Sequence, residues 1–187
     1  MLKELITKSR SYRRFFEDES ISKEILKELI ELARLSPSAR NAQPLKYFLS
    51  NTPELNEKIF PHLTWAGYLK DWDGPVKGER PSAYIILLHD TEIANNYFCD
   101  DGIATQSILL GAAEKGLGGC IIGAVNRLKL QSSLTIPDRY KIIHVIALGK
   151  PKEIIQLEEM KENDYKYWRD SQHVHHVPKR NLEDLII

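Results

Sequence analysis

Apolar and polar residues alternate along this chain with two periods, one typical of helices and one typical of strands. Residues 22–35 carry apolar side chains three and four positions apart, which predicts an amphipathic helix that Ser22 caps and Pro37 ends. The continuous apolar run at 82–89 predicts a strand, and further patterns predict short helices at 2–8, 53–60 and 126–134 and strands at 45–49 and 141–148. Helices and strands are therefore interleaved along the whole chain.

One predicted helix, at residues 101–115, is apolar on nearly every face, and a helix of this kind is expected to be buried. Asp100 and Asp101 lie where negative charge favours a helix start, and Gly116 follows as a left-handed cap. The glycine-rich run GLGGCIIG at 116–123 comes next, and glycines at this density let the main chain approach another group closely. A core helix followed by a tight turn into a strand explains the same pattern.

The chain has 187 residues, enough for one domain at 1–187 with a substantial core. Lys and Arg number 26, as do Asp and Glu, which disfavours a dedicated nucleic-acid-binding protein. No apolar run reaches the ~20 residues of a membrane span, and the first residues lack a signal-peptide pattern. Cys99 and Cys120 form no CxxC motif, so we expect both to be reduced and buried in a cytoplasmic protein.

Arginine and serine residues are concentrated at 9–14, in the run SRSYRR. Fork-shaped guanidinium groups beside a small hydroxyl are suited to a phosphate. In an extended segment Ser11 and Arg13 face one side, and Arg10 and Arg14 face the other. A solvated basic patch explains the same residues and is the simpler interpretation of this run alone.

A second polar stretch, SPSARNAQP at 36–44, lies between a predicted helix and a predicted strand. Its Ser, Asn and Gln residues can present several neutral hydrogen-bonding groups from one fixed loop. Ordinary turn chemistry accounts for the same composition.

Three motifs taken together resemble the flavin-dependent nitroreductase family. They are Arg-Ser-x-Arg at 10–13, Pro-Ser-Ala-x-Asn-x-Gln-Pro at 37–44 and Gly-Leu-Gly-x-Cys-x-Ile-Gly at 116–123. Their order and spacing carry the resemblance, which extends over nearly the whole chain, including a basic run at 177–182. The chain departs from the family at Ser9, where many members have arginine, and at Leu45, where tryptophan often follows the Gln-Pro.

The resemblance implies an α+β fold, a three-layer α/β/α sandwich around a central, mostly antiparallel sheet. It also implies an obligate homodimer with FMN in the interface, and a C-terminal segment that extends onto the partner subunit. The implied activity takes hydride from NADH or NADPH and reduces a small acceptor, such as a nitroaromatic or a quinone, by ping-pong turnover. Because the flavin performs the redox step, no catalytic side chain and no metal are expected.

The residues that match the family's FMN-binding positions are Arg10, Ser11, Arg13, Pro37, Ser38, Asn41, Ile122, Gly123 and Arg180. The residues at 10–13 would hold the phosphate and the pyrimidine edge of the ring, and those at 37–41 would come from the partner subunit. The backbone at 122–123 would face the flavin N5 atom. Arg180, with Lys179 as a further candidate, would also reach the phosphate.

Other functions are compatible with the same motifs. A flavin enzyme of the same fold with another reaction, such as dehydrogenation or dehalogenation, would carry them, and so would a flavin-binding protein without turnover. A Rossmann-type dinucleotide site at 116–123 is disfavoured because its fingerprint needs a strand before the glycines and a helix after them.

Two groups of residues have both a functional and a structural interpretation. The aromatic residues Trp65, Tyr68 and Trp72 can wall a pocket above the flavin, but such residues more often pack a loop against the core. The histidines at 173, 175 and 176 fit no standard zinc spacing, so we expect them to be solvated.

Overall fold

The computed structural model describes residues 2–187, with five α-helices and eight strands in that part of the chain. The helices are α1 Leu2–Lys8, α2 Lys23–Leu35, α3 Pro53–Ile59, α4 Asp100–Glu114 and α5 Arg127–Ser133. The strands are β1 Phe15–Phe16, β2 Leu45–Ser50, β3 Ala83–Asp90, β4 Gly118–Ile122, β5 Tyr140–Pro151, β6 Ile155–Glu159, β7 Trp168–Arg169 and β8 His175–Lys179. Ser22 caps α2 as predicted, since its side chain accepts a hydrogen bond from the Ile25 N–H.

A five-stranded antiparallel sheet occupies the centre of the fold, and β5 is its longest strand. β3 and β4 flank β5 on opposite edges, β1 pairs with its C-terminal end, and β2 pairs with β3. Every pairing in this sheet is antiparallel. The predicted antiparallel central sheet is thereby confirmed.

Alternate residues of β3 enter two separate cores, because successive side chains of a strand point to opposite faces of the sheet. Ile85 packs on one face with Leu29 of α2 and Ile108 of α4. Ile86 packs on the other face in a cluster that includes Leu130 of α5. The sheet therefore lies between two helical layers, and the predicted three-layer sandwich is confirmed.

Helix α4 begins at Asp100, and Gly116 beyond its end has a positive φ of 70°, as the acidic start and the glycine cap predict. In the single chain the helix is buried on one side only. Ile108 is fully buried against α2 and the sheet, whereas Gln106 is exposed and Leu109 is half-buried. The apolar residues of α4 therefore form two sets. One set faces the core of this chain, and the other faces away from it.

The glycine-rich run follows a helix and leads into a strand of an antiparallel sheet. This order is the reverse of the Rossmann fingerprint, and the dinucleotide-binding alternative is excluded for this segment.

A second, three-stranded sheet follows the sandwich, with β8 between a parallel β6 and an antiparallel β7. Beyond it, Leu182–Leu185 form a short 3-10 turn whose apolar side chains are exposed. The predicted extension of this segment onto a partner subunit stays a prediction.

The two cysteines differ in their surroundings. Cys120 is buried in β4, but Cys99 is exposed, so the prediction that both are buried is wrong. Cys99 precedes α4 in the stretch 91–99, which contributes nothing to either core cluster.

Among residues 2–187, no helix combines the length and the apolarity needed to cross a membrane.

Candidate functional site

A cavity of about 270 Å³ lies between β4, the N-terminal segment, α4 and β8. Its polar wall includes Arg10, Ser11, Arg13, His175 and Lys179, and its apolar wall includes Leu109 and Ile121. We call it the basic cavity. It unites the Arg-Ser-x-Arg motif, the glycine-rich strand and the C-terminal basic run, which are far apart in sequence.

Strand β4 forms one wall of the basic cavity because its side chains alternate between the two faces of the sheet. Cys120 packs into the core, whereas Gly119 and Ile121 face the cavity. At Gly119 a Cβ atom would lie 2.6 Å from the Leu109 side chain and 2.8 Å from the Ala147 carbonyl oxygen, so glycine is required there for close packing. The Gly119 carbonyl accepts a hydrogen bond of 3.0 Å from the Tyr12 N–H and holds the N-terminal segment against β4.

Arg13 is the most buried cation of the site, with 9% of its surface exposed. Its Nη1 atom donates to the Ser11 carbonyl oxygen at 3.1 Å and lies 3.2 Å from His175 Nε2. The Tyr167 ring covers the guanidinium group, with the ring centroid 4.7 Å from Cζ. The main-chain N–H of Arg13 donates to Glu153 Oε1 at 2.5 Å, so both the side chain and the backbone of Arg13 are fixed.

Arg10 also lines the cavity, which the expectation of opposite faces did not predict. That expectation is wrong because the segment is not extended here: Tyr12 N–H donates to the Arg10 carbonyl at 2.9 Å, which closes a tight turn. The Arg10 side chain donates to the Ile6 and Ser9 carbonyl oxygens, both at 2.7 Å, at the C-terminal end of α1. Arg14 does point away, and its guanidinium group forms two contacts with Glu79 at 2.5 and 2.6 Å.

The loop at 36–44 is organised by the buried carboxylate of Asp100 at the start of α4. Ser38 Oγ donates to it at 2.6 Å and the Ala39 N–H at 2.8 Å. Arg40, Asn41 and Gln43 have positive φ angles of 55°, 54° and 52°. Non-glycine residues with positive φ often cluster at functional sites.

The predicted contacts in this loop lie apart from the basic cavity of the same chain. Pro37 and Ser38 line a different cavity of about 250 Å³, together with Asp100 and Tyr47, and Asn41 is exposed. Burial there raises the pKa of the Tyr47 hydroxyl to about 12, so this group is a neutral donor at physiological pH. The assignment of Pro37, Ser38 and Asn41 to the cofactor of a partner subunit stays a prediction.

The predicted contacts at the end of β4 also lie outside the cavity lining. The Ile122 side chain is in the core and its backbone pairs with Val145. Gly123 is exposed and its carbonyl oxygen accepts a hydrogen bond from the Val125 N–H at 3.0 Å. Gly123 follows the last residue of β4 and lies outside the strand.

The basic C-terminal run contributes Lys179 to the cavity lining. Arg180, the other predicted phosphate ligand, is exposed and donates to Asn163 Oδ1 at 2.8 Å. His175, Val177 and Lys179 share one face of β8, whereas Arg180 follows the end of that strand.

Tyr167 and His175 are among the cavity residues that were not predicted from the sequence. His175 has only 1% of its surface exposed, so the expectation of solvated histidines is wrong for it. Burial, and next the Arg13 charge, lower the pKa of His175 to about 4, which keeps its imidazole neutral at pH 7. The alternation in HHVPK is the sequence signal that could have placed His175 beside Lys179 on one strand face.

His176 points to the opposite side of β8 and is only half-buried. Its ring lies 2.7 Å from Glu158 and 3.2 Å from Asp170, and these carboxylates raise its pKa. The remaining histidine of this group, His173, is exposed as expected. Within residues 2–187, no group of three or more His, Cys, Asp or Glu side chains is arranged so that it could hold a metal ion.

The aromatic loop packs against the protein, in agreement with the structural interpretation of its residues. Trp65 is in the core, and Trp72 lies under the Arg169 guanidinium group at 4.7 Å. Tyr68 contacts Tyr167 with ring centroids 5.0 Å apart. The loop therefore reaches the basic cavity only indirectly, through Tyr167.

The chemistry of the basic cavity fits a flavin mononucleotide. A phosphate requires cationic donors and a hydroxyl, which Arg10, Lys179 and Ser11 supply. A flavin ring fits against an apolar wall, which Leu109 and Ile121 supply. It also needs a positive group near its pyrimidine edge, and Arg13 is such a group in the cavity lining.

A model of the nitroreductase family matches residues 6–150 of this chain. The oxygen-insensitive NADPH nitroreductase of Helicobacter acinonychis is 28% identical over 201 residues, which cover 89% of this chain and 95% of that protein. The crystal structure of an FMN-dependent nitroreductase from Clostridium difficile is similar with a TM-score of 0.62 and 24% identity, covering 86% of this chain and 91% of that one. A structure from Desulfovibrio desulfuricans, solved in complex with FMN, has a TM-score of 0.71 and 24% identity over 100% of this chain and 95% of its own.

Proposed function

The chain belongs to the nitroreductase family, and on this basis we propose that it is an FMN-dependent oxidoreductase. In this proposal it takes hydride from NADH or NADPH and reduces a small acceptor, such as a nitroaromatic or a quinone, in a ping-pong cycle. The observation that carries the proposal is the basic cavity, where two arginines, a lysine and two serines lie against an apolar wall.

The residues of the chain have distinct tasks in this function. Arg10, Ser11 and Lys179 bind the phosphate, and Arg13 presents a fixed positive charge to the pyrimidine edge. Leu109 and Ile121 exclude water from one face of the ring. FMN, when bound, supplies the redox chemistry, and the protein supplies binding, orientation and electrostatics.

A homodimer completes the proposed site. The loop residues Pro37, Ser38 and Asn41 would contact the cofactor of the partner subunit, which accounts for their distance from the basic cavity of their own chain. Arg180 would complete the phosphate contacts, and the Ile122–Gly123 backbone would face the flavin N5 atom. We propose that residues 1–187 form one FMN-binding domain that works in the cytoplasm.

The absorption spectrum of the purified protein tests the cofactor. We expect a yellow protein with flavin bands near ~450 nm that releases FMN on denaturation. Release of FAD would show that the cofactor assignment is wrong. A colourless protein that also takes up no added FMN would contradict the proposed function as a whole.

Steady-state oxidation of NADH and NADPH, with and without a nitroaromatic or quinone acceptor, tests the activity. We expect oxidation to depend on the acceptor, with the parallel double-reciprocal plots of ping-pong turnover. A flavin-loaded protein that is not reduced by either nucleotide would instead be a non-catalytic flavin-binding protein. Reduction by nucleotide without transfer to these acceptors would indicate a flavin enzyme with another reaction.

A further inference from the structure

We propose that His175 is a positioning residue for Arg13, accepting a hydrogen bond through Nε2 and aiming the free edge of the guanidinium group into the basic cavity. The inference rests on the proposed function, because it assigns Arg13 to the cofactor. It concerns a side chain of β8 that none of the three sequence motifs contains.

The direction of this hydrogen bond follows from the chemistry of the two groups. Arg13 Nη1 and His175 Nε2 are 3.2 Å apart, and an arginine side chain has N–H donors but no acceptor. Nε2 must therefore carry a lone pair. A neutral imidazole with an unprotonated Nε2 carries its hydrogen on Nδ1, so the contact selects one tautomer.

The same contact determines which part of Arg13 remains for a ligand. Nη1 has two hydrogens, and its two partners are the Ser11 carbonyl oxygen and His175 Nε2. Within residues 2–187 the structure gives hydrogen-bond partners to Nη1 but to neither Nε nor Nη2 of Arg13. That second edge of the fork can bind a carbonyl or anionic oxygen in a bidentate manner.

The charge around His175 agrees with an acceptor role. The charged groups that act on its ring are Arg13, Arg169 and His176, and the carboxylate of Glu153 lies 3.0 Å from Arg169 Nη2. Burial, and next the charges of Arg13 and Arg169, disfavour a second proton on His175, so its ring stays neutral at pH 7. The Tyr167 ring packs against the His175 ring, with the two ring centroids 5.0 Å apart.

Packing alone does not explain a histidine at this position. Nδ1 is buried and has no hydrogen-bond partner among residues 2–187, and a buried donor without a partner destabilises the fold. A phenylalanine ring would fill similar space without that cost. The imidazole of His175 is therefore best explained by the hydrogen bond that its Nε2 atom accepts from Arg13.

The test compares two substitutions of His175. His175→Gln keeps an acceptor that can reach the Nε2 position, whereas His175→Phe keeps a ring and removes the acceptor. We expect FMN affinity, measured by flavin fluorescence quenching, to fall about tenfold or more in His175→Phe and to be largely retained in His175→Gln. In an Arg13→Ala background His175→Phe should cause little further loss, because the residue acts through Arg13.

The tautomer is a second readout that requires neither FMN nor a functional variant. Long-range ¹H–¹⁵N spectra of the wild-type protein, assigned through the missing signal in His175→Gln or His175→Phe, should show Nδ1 protonated and Nε2 unprotonated. A protonated Nε2 would overturn the inference even if His175→Phe fails to fold.

The two proposals fail in different ways. If wild-type protein binds FMN and His175→Phe binds it equally well, the inference about His175 is wrong and the proposed function stands. If wild-type protein takes up no FMN, the proposed function is wrong. Equal weakening by Phe and Gln would also contradict the inference, because Gln restores the acceptor.

Discussion

Single residues of this protein owe their effect to what the folded chain places around them. Arg13 and Arg14 are adjacent and carry the same charge, but Arg13 lies in the basic cavity and Arg14 pairs with Glu79 on the other side. The Glu79 pair is only partly exposed, and the Arg14 contact lowers the pKa of Glu79 to about 2. Arg14 therefore has a structural role in its ion pair, whereas the role we propose for Arg13 is in binding.

Replacing Arg13 by alanine is expected to weaken FMN binding while leaving the fold largely intact. A hydrogen bond to a charged group contributes about 1.5–3 kcal/mol, and about 1.4 kcal/mol corresponds to a tenfold change in affinity. The affinity should therefore fall roughly tenfold to a hundredfold. Titration of FMN into the apo proteins, followed by quenching of flavin fluorescence, measures the change.

Lys129→Ala is a suitable control because it removes one positive charge from the exposed surface of α5. Arg14→Ala is a second comparison, although loss of its Glu79 partner is expected to lower stability as well. Equal losses of affinity in Arg13→Ala and Lys129→Ala would show that only the overall charge matters and that Arg13 does not contact the cofactor.

The secondary-structure elements are fixed by contacts that leave little room for change. β1 has only two residues, and it is held against β5 by the fully buried ring of Phe15. At Gly149 in β5 a Cβ atom would lie 2.7–2.9 Å from three atoms of that side chain. The close approach of these strands therefore depends on glycine at this position.

Gly149→Ala is expected to destabilise the protein by about 1–3 kcal/mol, because overpacking a buried site forces neighbours to shift. Gly102→Ala is the matched control: Gly102 lies in α4 with no atom within 4 Å of its added Cβ. There the substitution should be neutral or stabilising by up to about 1 kcal/mol, through helix propensity. Urea unfolding measures both, and equal effects of the two variants would rule out the packing explanation.

The three-stranded sheet contains a pH-dependent contact. His176 on β8 stacks on Trp168 of β7 and pairs with Glu158 and Asp170, and hydrogen bonds to these carboxylates raise its pKa. A histidine pKa above the unfolded value near 6.5 gives stability that is fully present below about pH 6.5 and is lost as the pH rises through the folded-state pKa.

The difference in melting temperature between wild type and His176→Gln should therefore shrink between about pH 6 and pH 9. Thermal unfolding by circular dichroism across this interval measures the trend. His175, with a pKa of about 4 in the folded protein and near 6.5 in the unfolded chain, contributes equally to both proteins and therefore cancels from this difference. A difference that is constant across the interval would contradict the assignment.

The folded chain as a whole exposes apolar surface that none of its own elements covers. Leu182, Leu185, Ile186 and Ile187 are all at least 64% exposed after the last strand. Helix α4 also has half-buried apolar residues on the side away from the sheet. Apolar surface of this kind is typical of obligate interfaces, which resemble a domain core cut in half.

We therefore predict a homodimer that persists at micromolar concentration in multi-angle light scattering. The double substitution Leu182→Ser and Leu185→Ser should weaken the dimer, since both residues would lose apolar burial against the partner. Leu128→Ser is the control, because Leu128 is an isolated leucine of α5 with 85% exposure. A flavin-loaded monomer in the wild-type protein would contradict the prediction.

Local patterns in the sequence were sufficient to predict the main elements and the family. Periodicity predicted α2 with its Ser22 cap, and the continuous apolar run at 82–89 predicted β3, because these signals involve only neighbouring residues. The spacing of the three motifs indicated the nitroreductase family. The composition of the run at 9–14 made Arg10, Ser11 and Arg13 a candidate anion site, because this inference needs only residue type and local spacing.

Which distant residues meet is a property of the tertiary structure alone. Alternation along β8 brings Lys179 and His175 into the basic cavity and turns His176 away, and no local pattern shows which face of an isolated strand is buried. Likewise, the turn at Arg10–Tyr12 places Arg10 beside Arg13, against the simple expectation for an extended segment. The role of His175 follows from a contact between residues 162 positions apart, and such pairings arise from packing of the whole chain.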